Sequence, residues 1–215
     1  IDAWQATHKA VDTTLSTACI DSNIPQLGTA LSSRGYETGH FGKWHVGLSK
    51  AECRPLALGW THWTYHGNAP GTLPTTKTGD KLIYDPVTPE GRVEHVDFLD
   101  SYFADRAIEF ITNARAEDKP FFLNFWPVTP HFRYDAPLDL SPGKLEQFNN
   151  LATDRDKINA MVNRVDDDIA RIIDALGDDL ANTLILVTSD NGAANTALPD
   201  GGSFALPRGH KSTPY

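Results

Sequence analysis

Four short stretches of this sequence bring together side chains that can hold an anion, a hard cation or a mobile proton. Gly42-Lys43-Trp44-His45-Val46-Gly47 sets an ammonium and an imidazole two residues apart, a spacing that in extended backbone puts both on one side of the chain. Such a pair can grip an anion and move a proton, although an isolated Lys-x-His is more often a surface lysine beside a packed histidine. Asp190-Asn191-Gly192 follows an apolar run and offers a carboxylate and an amide oxygen side by side. These are hard donors suited to calcium or magnesium, yet the same tripeptide is also strong turn chemistry. His131 stands between Pro130 and Phe132 just past another apolar run, and Lys211 lies in Arg208-Gly209-His210-Lys211-Ser212. Each has an ordinary structural explanation when taken alone, so their coincidence is what counts.

The elements that must position these residues are legible as patterns. Ile24, Leu27 and Leu31 at helical spacing, after Asp21 and Ser22 and before Arg34-Gly35, predict a short helix over 24–34. Tyr36 to Trp44 then reads as a buried strand whose end carries Lys43. From Cys53 to about Val96 the chain is rich in Pro, Gly, Thr and aromatics with no sustained period, which predicts long loops with one hairpin around Leu82 to Tyr84. Trp60, Trp63, Tyr65 and His66 in that stretch suit either sugar stacking or simple packing.

Further on, Phe98, Tyr102, Ala107, Ile108 and Ile111 predict a helix over 98–115. The apolar Phe121 to Trp126, bounded by prolines, reads as a central strand that delivers Thr129-Pro130-His131. Ile158, Met161, Val165, Ile169, Ile172 and Leu176 mark a long helix from Asp154 to Leu176, stopped by Gly177. Leu184 to Val187 is expected to form a second buried strand, ending at Asp190. Helix and strand alternate throughout, so the expected fold is α/β, with a largely parallel central sheet covered by helices on both faces. In such sheets ligands bind beyond the carboxyl ends of strands, and three strand ends here carry the polar residues.

Bulk properties exclude several functions. With 215 residues and 40% hydrophobic content the chain can bury one sizeable core, and we read one domain. The formal charge of −9 leaves no basic surplus for a nucleic-acid backbone, so an anionic ligand must be met by a local cluster of cations. No apolar run approaches the roughly 18 residues of a membrane span. Two cysteines, Cys19 and Cys53, are too few for a disulfide framework or a zinc ribbon, and their pairing stays open.

Taken in order, the segments resemble the sulfatase family of the alkaline phosphatase superfamily. Gly35-Tyr36-Glu37-Thr38 running into Gly42-Lys43-Trp44-His45-Val46-Gly47 is the most specific match. The Pro120 to His131 segment, the Thr183 to Gly192 segment and the Arg208 to Tyr215 loop follow in the family's order.

The resemblance implies an alkaline-phosphatase-like fold and a sulfuric ester hydrolase that releases sulfate from a sulfated carbohydrate or similar ester. It further implies one calcium ion held in part by Asp190 and Asn191, with Lys43 and Lys211 gripping the sulfate. His45 would contact the formylglycine hydroxyl, and His131 would bind the sulfate and assist the leaving alcohol. An exported location, periplasmic, extracellular or lysosomal, is implied in the same way.

The departures matter equally. The family's formylglycine arises in a Cys-x-Pro-x-Arg or Ser-x-Pro-x-Arg context upstream of Lys-x-His. Cys19 is followed by Ile20-Asp21-Ser22-Asn23, and Cys53 by Arg54-Pro55 on the wrong side of the motif. Neither is assigned as the nucleophile, and the family's paired aspartates of the first strand have no counterpart. Asp166, Asp167 and Asp168 are no substitute, being expected on the solvated face of the long helix. The expectation is that residues 1–215 are part of one catalytic domain, truncated at both ends and inactive alone. A phosphodiesterase or phosphonate monoester hydrolase of the same superfamily, or a noncatalytic anion-binding relative, are the competing readings.

Overall fold

The computed structural model describes residues 20, 24–44, 51–67, 83–84, 92–93, 98–131, 150–151 and 153–192. Strand β1, Glu37–Trp44, is the axis of the sheet and is buried along almost its whole length. It is preceded by the short helix α1, Leu27–Ser32. Gly35, at φ 86, turns the chain from one into the other, a left-handed conformation that costs glycine little.

Strand β2, His62–Gly67, pairs parallel with one edge of β1, in a register running from Gly39 opposite His62 to Trp44 opposite Gly67. Two short strands, β3 (Ile83–Tyr84) and β4 (Arg92–Val93), extend that side antiparallel. Helix α2, Leu99–Ala116, then leads to β5, Phe121–Trp126. β5 pairs parallel with the other edge of β1, from Glu37 opposite Phe121 to Gly42 opposite Trp126. The order is β4-β3-β2-β1-β5, with three parallel strands at its working end.

The pleat sorts the side chains into two cores. Phe41 points to the face covered by α2 and by the long helix α3, Asp154–Leu176, where it joins Phe103, Phe110, Ile111, Ile172 and Leu176. Phe121, Leu123 and Phe125 pack against the same cluster, while Phe122 goes to the opposite face with Trp44, Leu58, Trp60 and Tyr65. That face also carries the 3-10 turn Pro55–Leu58 and α1, whose Gly28 lies against the Leu58 and Gly59 carbonyls. α3 is begun by Thr153, whose Oγ1 accepts from the Asp156 amide, the expected N-cap arrangement.

Four expectations need correction, and one open alternative is decided. Strand β5, expected as a central strand, stands at the edge of the described sheet. Residues 53–67 are not open loop: after the 3-10 turn Ala51–Cys53 they hold a second, Pro55–Leu58, and a full sheet strand, β2. The enrichment of Trp63-Thr64-Tyr65 in aromatic and β-branched residues was the available signal, and the surrounding Pro and Gly masked it. Trp60 and Tyr65, at 6% and 1% exposure, are core residues rather than a sugar-stacking surface, and Trp63 packs partly buried beside them; the side chain of His66 lies outside the described residues. Asp168 is not solvated; it is fully buried and held by Arg171 and Ser101. Finally, Leu184–Val187 enters no ladder among the described residues, and Leu184, Leu186 and Val187 are 82%, 81% and 80% exposed. An apolar run becomes a buried strand only when a neighbour takes its backbone hydrogen bonds, and no described strand does so.

Candidate functional site

Because β1 and β5 run parallel, their carboxyl ends lie at the same rim of the sheet. Lys43 is the next-to-last residue of β1, and the extended stretch that ends at Asp190 reaches the same rim. Lys43 Nζ lies 4.0 Å from Asp190 Oδ2. The lysine side chain is mostly covered and that of the aspartate 71% exposed, so the carboxylate keeps access to solvent and ions. Ser189 Oγ donates to the Asn191 carbonyl at 2.7 Å, and Asn191 Nδ2 donates to the Gly192 carbonyl at 2.9 Å. In that orientation Oδ1, not Nδ2, is the atom Asn191 has left for a cation.

The position of Lys43 depends on the residue before it. Gly42 has φ 133, and a Cβ placed there would lie 1.9 Å from the Trp126 carbonyl oxygen. Only glycine permits this closeness of β1 and β5 at their last rung. His40 sits beneath, fully buried among Trp44, Trp60 and Trp126 with ring centroids 4.8, 5.5 and 5.0 Å away. Its Nε2–H donates to the Lys43 carbonyl at 3.2 Å, leaving Nδ1 without a hydrogen-bond partner. Burial among rings disfavours the imidazolium and pushes the His40 pKa down to about 4. Trp44 is fixed separately, its indole N–H donating to the Cys53 carbonyl at 3.0 Å, and Cys53 is itself buried and disulfide-bonded.

His131 follows β5 after a cis Thr129–Pro130 bond, its amide donating to the Val128 carbonyl at 2.9 Å. The turn is gripped by Asp100 at the start of α2. Oδ1 of Asp100 accepts from the Val128 amide at 2.7 Å and Oδ2 from the Thr129 amide at 3.1 Å. Burial raises the Asp100 pKa above the usual carboxylate range, against those hydrogen bonds, which lower it.

Of the six residues singled out from sequence, Lys43 and Asp190 are brought together, Asn191 adjoins Asp190, and His131 is placed at the end of the neighbouring strand. His45 and Lys211 lie outside the described residues. His40 and Asp100 were not anticipated: one reads as a strand residue and the other as an ordinary acid in a first helical turn.

Among the described residues no group of three or more His, Cys, Asp or Glu side chains forms a metal cluster. Asp190 and Asn191 nevertheless offer two hard oxygen donors on adjacent residues. They fit a calcium site in part, since that ion takes roughly six to eight oxygens.

The fold is an α/β domain whose parallel strands bring Lys43 and Asp190 together beyond their carboxyl ends, the place where such sheets take ligands. The chain belongs to the sulfatase family, whose model, Sulfatase, matches residues 5–215. It is 30% identical over 213 residues to the uncharacterized sulfatase YdeN of Escherichia coli (strain K12), covering 89% of this chain and 36% of that protein. Against N-acetylgalactosamine-6-sulfatase of Sus scrofa it is 27% identical over 194 residues, covering 84% of this chain and 34% of the relative. The chain thus spans about a third of the length of these curated relatives. The crystal structure of Ps i-CgsB superposes with a TM-score of 0.71 at 21% identity, over 89% of this chain and 45% of that one. That likeness establishes the fold, and the α/β arrangement expected from the resemblance is the one observed.

Proposed function

We propose that this chain supplies the larger part of the anion-binding side of a sulfatase active site, and that the protein releases inorganic sulfate from a sulfated carbohydrate or similar ester. The observation that carries the reading is the 4.0 Å approach of Lys43 to Asp190 at the carboxyl rim of the sheet, in a chain that matches the Sulfatase model over residues 5–215.

In this reading Lys43 and Lys211 hold the sulfate by their ammonium groups and stabilise the charge that grows on its oxygens as the ester bond breaks. His131 orients the sulfate and gives a proton to the departing alcohol oxygen. His45 holds and moves the proton of the nucleophile. Bound calcium, with Asp190 and Asn191 among its ligands, would supply further positive charge to the sulfate, and formylglycine the attacking hydroxyl. Neither cysteine of this chain is suited to become that nucleophile: Cys53 is in a disulfide, and Cys19 lacks the proline and arginine that follow the modified residue. The nucleophile is therefore assigned to sequence other than these 215 residues, which together form part of one catalytic domain.

A sulfated sugar as substrate is supported by the likeness to N-acetylgalactosamine-6-sulfatase. An exported location is supported by the Cys53 disulfide, since such bonds persist in oxidising compartments. The test is sulfate release from an aryl sulfate by the full-length protein, with and without a calcium chelator, beside a phosphodiester control. Chelation is expected to abolish release, and Lys43→Ala to lower kcat/KM by about 10²–10³-fold. Undiminished release in Lys43→Ala, or turnover of the phosphodiester alone, would overturn the reading.

A further inference from the structure

We propose that Asp100 is a positioning residue for His131: its carboxylate sets the turn after β5 and so fixes where the imidazole stands at the rim of the sheet. The proposal rests on the reading of His131 as the group that protonates the leaving alcohol.

The turn before His131 is held by one carboxylate. After Trp126 the chain passes through Pro127, Val128, Thr129 and Pro130 before it reaches His131, and two of those residues are prolines without amide donors. The two amides next to each other in that stretch, Val128 and Thr129, both point at one carboxylate. Oδ1 of Asp100 takes the first at 2.7 Å and Oδ2 the second at 3.1 Å. Bonds from two successive amides to the two oxygens of a single group leave the intervening peptide little freedom to rotate. The His131 amide closes the turn on the Val128 carbonyl at 2.9 Å, so the clamp reaches the histidine backbone through one further hydrogen bond.

The clamp is itself anchored. Asp100 is the second residue of α2, and its neighbour Ser101 donates to Asp168 Oδ2 on α3 at 2.6 Å. Arg164 Nε donates to Ser101 Oγ at 3.0 Å, and Arg171 Nη1 to Asp168 Oδ1 at 2.9 Å. The start of α2 is thereby tied to the long helix that backs the sheet, and the turn inherits that rigidity.

The choice of residue is costly for a purely structural turn. Asp100 is 1% exposed, and a second buried carboxylate, that of Asp168, lies close enough to oppose its ionisation. A buried charge is expensive unless fully hydrogen-bonded, and a neutral side-chain oxygen such as that of Asn accepts from a backbone amide without that cost. A carboxylate adds two equivalent acceptors with charge-assisted strength, which suits a turn that must hold one geometry.

The experiment compares Asp100→Asn, Asp100→Glu, His131→Ala and the double variant Asp100→Asn/His131→Ala in the full-length protein. It uses a series of aryl sulfates whose leaving phenols differ in pKa. Asp100→Asn keeps the shape but weakens the grip, and Asp100→Glu keeps the charge but displaces it by one methylene. Both are expected to lose about tenfold or more in kcat/KM on the poorest leaving groups and little on nitrophenyl sulfate, because an acid out of place matters most where the leaving oxygen needs its proton. Asp100→Asn should add almost nothing to His131→Ala. A uniform loss across the series, additive with His131→Ala, would overturn the proposal, since a role confined to folding lowers every substrate alike.

A second readout separates this claim from the reading of His131. The ring Cε1–H resonance of His131, identified by its absence in His131→Ala, should shift in both Asp100 variants; an unmoved resonance also overturns the proposal. If the resonance moves while His131→Ala shows no dependence on the leaving group, the positioning stands and the acid role of His131 fails.

Discussion

Replacing Gly42 by alanine tests the geometry on which the position of Lys43 depends. Gly42 adopts φ 133, and an added Cβ would lie 1.9 Å from the Trp126 carbonyl oxygen, 2.5 Å from its carbon and 3.0 Å from its Cα. Comfortable contacts between such atoms begin near about 3.5 Å, so β1 and β5 must separate by more than roughly 1 Å at their last rung. The unfavourable dihedral costs of order 1–3 kcal/mol, and each ladder hydrogen bond lost adds about 1 kcal/mol. Gly42→Ala should thus destabilise by about 3–5 kcal/mol, a large share of the roughly 5–15 kcal/mol of a typical domain.

Gly35→Ala is the matched control. Gly35 is also left-handed, at φ 86, but a Cβ there meets nothing within 4 Å. Only the dihedral penalty remains, about 1–2 kcal/mol. Urea unfolding of the full-length protein and both variants measures the difference. Equal destabilisation within about 0.5 kcal/mol would refute the claim that the Trp126 backbone excludes a side chain at position 42.

Two further predictions concern the histidine under the site and the exposed apolar run Leu184–Val187. The His40 pKa is lowered from 6.5 to about 4 by burial, so the unfolded chain takes up a proton first and stability falls as the pH drops from about 6.5 towards about 4. At about pH 5 the loss from this group is about 2 kcal/mol relative to neutral pH, and His40→Phe should flatten the pH dependence of the urea midpoint between the two conditions; an unchanged slope refutes it. The exposed apolar residues Leu184, Ile185, Leu186 and Val187 should make the 215-residue chain self-associate when produced alone. Leu184→Lys with Leu186→Lys should reduce that association in light scattering, and a monodisperse unsubstituted monomer would count against the prediction.

The elements were legible where burial repeats with the period of the backbone. Phe121 to Trp126 and Met161 to Leu176 state their type plainly, one as a strand and the other as an amphipathic helix, although Phe121–Trp126 stands at the edge of the described sheet rather than at its centre. Strand β2 was missed because its apolar and aromatic residues are embedded in a Pro- and Gly-rich stretch, and its burial comes from the opposite sheet face rather than from a local period. Leu184 to Val187 erred the other way: its composition is that of a buried strand, yet pairing is a property of two segments and the composition of one does not supply the other.

The site divides along the same line. Residue type and local order offered Lys43, His131, Asp190 and Asn191 as candidates at the ends of apolar runs, each with an ordinary structural alternative, and the family resemblance supplied their expected roles. The formal charge of −9 also left no basic surplus for a nucleic-acid backbone. Only the tertiary structure decided that Lys43 and Asp190 approach within an ion pair's reach, that Gly42 admits no side chain because Trp126 lies against it, and that a carboxylate in the first turn of a helix holds the turn before His131. Those are contacts between segments far apart in the chain. Local spacing records which face of an element avoids water, whereas strand order and register decide which faces and ends meet.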